Sequence, residues 1–141
     1  MRAPLLAMIA AGSLLPIAGS APAAAFDSAQ FCKAVTQVVQ AASGDVGTWL
    51  DRTTRNDGVE IFCNRKLVHF KRYSNTPASA LRGQWKDAKT EEWRSAYCAK
   101  PMWREAADNG WIISATVATV TGEKVWLACQ RGGIAFHRNI P

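Results

Sequence analysis

The side chains with chemistry to offer are few. The chain has two histidines, His69 and His137, four cysteines, and an excess of basic residues that gives a formal net charge of +6 at pH 7. Two imidazoles with a lysine and a carboxylate suit general acid–base cleavage of phosphodiesters, one ring accepting a proton and the other donating one. His69 and His137 with Lys71 and Glu60 are the residues for such a set, and they define one reading, a small secreted hydrolase of nuclease type. No spacing enforces it. In Leu67 to Tyr73 the alternation puts Val68 and Phe70 on one side and His69 and Lys71 on the polar side. The chain contains no G-x-S-x-G elbow. Arg131-Gly132-Gly133 lacks the lysine and following helix of a phosphate loop. Asp51, Asn56 and Asp57 lack calcium-loop spacing. No catalytic residue and no cofactor is assigned, and the balance leans away from an enzyme.

Cys32, Cys63, Cys98 and Cys129 are separated by 31, 35 and 31 positions. Zinc sites favour close pairs, because two ligands on one turn reach one ion. The wide gaps point instead to two structural disulfides and no metal site. From Cys32 and again from Cys98 the order runs helix, glycine, tryptophan, strand, glycine, strand, cysteine. This repeated plan predicts Cys32–Cys63 and Cys98–Cys129.

The basic residues cluster in mid-chain, from Arg52 to Lys89, where acids are fewer. Arg65, Lys66, Lys71 and Arg82 are the candidate binding cations, because turns and a helix start can gather them into one patch. Such a patch attracts an anionic envelope component or an acidic protein. The six tryptophans include Trp85 on an apolar helix stripe and Trp49 and Trp111 at strand starts, so four or more are expected to be buried. Trp93 and Trp103, flanked by Glu92, Arg94, Arg104 and Glu105, are the expected exposed pair and join the candidate binding residues.

The elements that must position these residues follow from periodicity. Phe31, Val35, Val38, Val39 and Ala42 predict a helix over 28–42, capped by Asp27 or Ser28. Residues 48–55, 59–63 and 67–73 read as strands, with Asn56-Asp57-Gly58 as a tight turn. Thr76-Pro77 opens a second helix that Pro101 restarts or kinks and Asn109-Gly110 ends. Residues 111–120 and 124–130 form a hairpin, and 131–141 is a tail or a short edge strand. The expected fold is α+β, an antiparallel sheet of about five strands with helices on one face, in the order α-β-β-β-α-α-β-β.

Arg2, an apolar run from Pro4 to Ala18 and the small-residue end Ala23-Ala24-Ala25 describe an export signal over 1–25. Residues 26–141 then form one disulfide-bonded domain. No later segment approaches membrane-spanning length. No usable N-x-S/T sequon is present, since Asn75-Thr76 is followed by Pro77, which fits a bacterial periplasm better than a eukaryotic secretory route. Nucleic acid is disfavoured by that compartment. The leading expectation is a non-enzymatic periplasmic or secreted binding or accessory module with a basic, partly aromatic surface. The hydrolase is its rival, and an inhibitor or immunity-type protein is a third reading.

Overall fold

The computed structural model describes residues 23–81 and 84–140. Helix α1 spans Ser28–Ala41, and Asp27 caps it by accepting the Gln30 N–H at 2.9 Å. Strands β1 (Thr54–Phe62) and β2 (Leu67–Ser74) form an antiparallel pair. Helix α2 (Trp85–Trp93) runs through a π-turn at Arg94–Cys98 before Pro101 starts α3 (Pro101–Asp108). Strands β3 (Ile112–Thr119), β4 (Lys124–Cys129) and β5 (Ala135–Asn139) complete a sheet in the order β1-β2-β3-β4-β5. The α+β class, the five strands, the helical layer and both disulfides are as the sequence predicts.

Three local assignments differ. The β2–β3 pair is parallel, because the α2–α3 segment carries the chain back across the sheet before it pairs again. Asn56-Asp57-Gly58 is a bulge within β1, marked by a register shift between Asn56 and Gly58 and a φ of +124° at Gly58. The turn falls earlier. Asp51 Oδ1 accepts from Thr53 N at 2.6 Å and Thr54 N at 2.8 Å, which folds residues 48–50 back on 54–56. Those amide bonds hold the Asp51 carboxyl below its ordinary range. The third difference is that residues 48–55 form no separate strand: β1 starts at Thr54, and the fifth strand is β5, the edge strand that is one of the two readings of 131–141. The order is therefore α-β-β-α-α-β-β-β.

Side-chain alternation divides the sheet. Val68 and Phe70 of β2, Ile113, Ala115 and Val117 of β3, and Val125 and Leu127 of β4 are buried beneath the helices. Phe31 of α1 meets Trp111 edge-on at 4.7 Å between ring centroids, and Phe70 meets Trp93 at 5.5 Å. His69, Lys71, Thr116, Trp126, Phe136 and Arg138 belong to the opposite side, which none of the described helices covers.

Cys32–Cys63 ties α1 to the end of β1, and Cys98–Cys129 ties the π-turn to the end of β4, with Cα separations of 5.9 and 5.4 Å. Both bridges span 31 positions, so their effect on unfolded-chain entropy is the same, about 3–4 kcal/mol. Their surroundings differ: Cys98 and Cys129 are buried, whereas Cys63 is exposed. Replacing Cys98 and Cys129 together by alanine is expected to destabilise the protein more than replacing Cys32 and Cys63. Urea unfolding of the two double variants measures the difference, and equal losses would show that burial adds nothing to the chain-entropy effect.

Candidate functional site

The expected site residues divide between the two sides of the sheet. Lys71 stands on the uncovered side, on the strand next to the β1 edge, and forms an ion pair with Glu60 across the β1–β2 ladder. Arg65, in the β1–β2 turn, lies over the Phe62 ring at 5.3 Å and joins the same side at its edge. Lys66 does not. Its left-handed backbone turns it toward the end of α3, where Nζ reaches the Asn109 carbonyl at 3.5 Å, a favourable place for a cation. Arg82 lies outside the described residues, as does most of the expected export signal.

Trp93 and Trp103 are on the helical side. Trp93 is only 5% exposed and stacks on Tyr97 at 3.9 Å, which corrects the expectation that it is exposed. Trp103 is partly buried against Phe31 and Phe70. Charged neighbours at i±1 point to other sides of a helix and so carry no information about the residue between them. The tryptophan that is exposed is Trp49, at 50%, because its segment folds back as an edge turn.

Register defines the uncovered side row by row. One row runs Glu60, His69, Ser114, Ala128, Phe136; the next runs Gly58, Lys71, Thr116, Trp126, Arg138. Tyr73 and Lys124 extend it toward one end, and Arg55 lies over Tyr73 at 4.5 Å while bonding Asp57. The Arg138 guanidinium lies over Trp126 at 4.1 Å, a cation–π contact that fixes where its charge stands. Arg138 and Lys124 form no ion pair with a carboxylate among the described residues, whereas Lys71 and Arg55 do. The uncompensated positive charge thus comes from Arg138 and Lys124, with Arg65 adding to it at the β1–β2 edge. Sequence reasoning missed Arg138 and Lys124. The signal was the period-two pattern Phe136, Arg138 in a segment read as tail or edge strand.

The histidines are not brought together. His69 faces the open side, with Nδ1 2.9 Å from Ser114 Oγ and Nε2 3.0 Å from Thr116 Oγ1. Hydroxyls can donate to one ring nitrogen and accept from the other, so the neutral imidazole is fully satisfied. Ser114 is completely buried and offers no accessible nucleophile. His137 pairs with Leu127, hence faces the helices, and bonds Asp87 of α2 at 3.0 Å. A sheet lies between the two rings, so the paired acid–base arrangement does not form.

No protein-family model and no curated protein matches the chain. Among solved structures, a candidate secreted protein of Pseudomonas aeruginosa is similar, with a TM-score of 0.50 and 11% identity over 83% of this chain and 96% of that one. The likeness is one of fold. No described helix is long and apolar enough to cross a membrane.

Burial pulls the His69 imidazole below its ordinary value; Glu60 opposes the shift and Lys71 adds to it. Between that lowered value and about 6.5 the unfolded chain binds more protons, so stability rises with pH across this window and is lost on acidification through it. The urea midpoint of the wild type is expected to fall more between about pH 7.5 and pH 5 than that of His69→Asn, which cannot titrate there. Parallel midpoints would contradict a neutral, hydroxyl-bound His69.

Proposed function

We propose that this chain is an exported, non-enzymatic binding module whose working surface is the uncovered side of the sheet and whose partner is an anionic envelope glycan. The observation that carries the reading is the juxtaposition of Arg138 and Lys124, both without carboxylate partners, with Trp126, Phe136 and Tyr73 on one continuous surface. Sugar rings pack on aromatic side chains and phosphate groups pair with guanidinium and ammonium groups, so phosphorylated glycan matches both features. Two disulfides fit an oxidising compartment outside the cytosol. The secreted neighbour of similar fold supports the same location.

Lys71 and Arg65 contribute at the β1–β2 end of this surface, Lys71 by exchanging Glu60 for a ligand phosphate. The hydrolase reading has less support, because His69 and His137 are on opposite sides.

Binding to a phosphorylated lipopolysaccharide-core oligosaccharide is expected to weaken steeply as salt passes about 0.15 M, where screening acts over roughly 8 Å. Arg138→Glu and Lys124→Glu should each weaken it by roughly three- to tenfold, and His69→Ala should not. Calorimetry with the phosphorylated and the dephosphorylated oligosaccharide measures these differences. Equal affinity for both forms, or reversals without effect, would remove the reading. An acidic protein partner would show itself by binding that survives without any glycan.

A further inference from the structure

The helical side of the sheet is incompletely filled. The N-terminal half of α1 is packed, with Phe31, Cys32 and Val35 buried, but Val38 is 67% exposed and the helix stands off the sheet beyond it. The gap is a cavity of about 430 Å³ whose walls include Val35, Val39, Val59, Phe70, Met102 and Trp103. Val46, Leu50 and Met102 around its mouth are each more than half exposed, an apolar rim of the kind that marks a binding site.

A second cavity, of about 200 Å³, lies against the first, and Leu50 and Arg72 line both. Its character is different. Thr54 Oγ1 and Trp93 Nε1 are buried there with no hydrogen-bond partner among the described residues, and Trp93 as a whole is 5% exposed. Buried donors of this sort are costly unless something accepts from them. Arg72 breaks the apolar alternation of β2. Its guanidinium donates to Asn56 Oδ1 at 2.5 Å and lies 3.4 Å from the Tyr97 hydroxyl, both neutral groups. Among the described residues no carboxylate pairs with it. The two acids lining the smaller cavity are engaged elsewhere: Asp51 in its turn, and Glu92 with Lys89 Nζ at 2.7 Å.

We propose that these two cavities form one site for a single-chain amphiphile, its anionic head accepting from Arg72, Thr54 and Trp93 and its apolar chain lying beneath α1. An acceptor-only head supplies the counter-charge that Arg72 lacks among its neutral acceptors and the acceptor that Thr54 and Trp93 lack, and a hydrocarbon chain fills a space that apolar side chains line and water occupies poorly. Carboxylate and phosphate heads share this chemistry. The site is separate from the uncovered side of the sheet and does not depend on what binds there.

The test is titration of the intact protein with laurate, dodecyl phosphate and dodecanol, followed by calorimetry and by intrinsic tryptophan fluorescence, to which Trp93 and Trp103 in the cavity walls contribute. At least one of the two anionic probes is expected to bind about tenfold or more tighter than dodecanol, the difference a charge-assisted bond provides. The tighter of the two names the head. Arg72→Gln should remove that preference while dodecanol binding persists, and Trp93→Phe, a conservative change, should reduce it without unfolding the protein. Val38→Asp, on the exposed rim, should weaken all three probes. Arg138→Glu should weaken none, so a failure here is distinguishable from a failure of the glycan reading. Equal affinity for laurate, dodecyl phosphate and dodecanol, or no binding at about 1 mM, would overturn the proposal, since that concentration corresponds to only about 4 kcal/mol. Complete displacement by inorganic phosphate alone would assign the site to a small anion and overturn it too.

Discussion

Along β2, Val68 and Phe70 point into the helices while His69 and Lys71 point away from them. The parallel register with β3 repeats the division, Ile113 and Ala115 inward against Ser114 and Thr116 outward. A slip of one residue between these strands would turn the apolar set out and bury a lysine, so the hydrophobic gain of the inner side holds the register. Everything else is arranged around that pair. The helices cover one side only, which leaves the other free to carry cations and aromatic rings at spacings that the strands dictate.

Two exceptions to the division explain the chemistry of each side. On the open side, His69 sinks between two hydroxyls and is neutral, so the charge there resides in Arg138, Lys124, Arg65 and the two cations already paired with acids. On the helical side, Arg72 brings a charge under the helices. The β1 bulge is what makes this tolerable. It turns Asn56 inward, 7% exposed, so that its amide oxygen accepts from the guanidinium. The same bulge places Gly58, which has no side chain, in the wall of the larger cavity.

Much of this was legible in residue pattern. The α1 stripe, the Asp27 cap, the β3–β4 hairpin and the cysteine pairing follow from periodicity and spacing, because each depends on neighbours close in sequence or on a repeated plan. The failures are of three physical kinds. Asn56-Asp57-Gly58 has the composition of a hairpin turn, yet the Asp51 turn a few residues earlier had already reversed the chain, so the glycine served a bulge. The parallel β2–β3 pair is a consequence of where the α2–α3 segment returns the chain, which local pattern does not contain. The charged sequence neighbours of Trp93 do not share its helix side, so they carry no signal of its burial. Of the candidate cations, Lys71 and Arg65 reach the open side, while Arg138 lies in a short, glycine-led segment whose pattern leaves tail and edge strand both open.

The sheet has two chemically distinct sides, and the proposed polyanion binding engages only the open one. The most direct measurement is an amide and side-chain NMR titration with the phosphorylated oligosaccharide. Side-chain perturbations are expected to alternate along the strands, large at Lys71, Thr116, Trp126 and Arg138 and small at Phe70, Val117, Leu127 and His137. Perturbations confined to the helical side, or spread without alternation over both, would contradict the proposed binding.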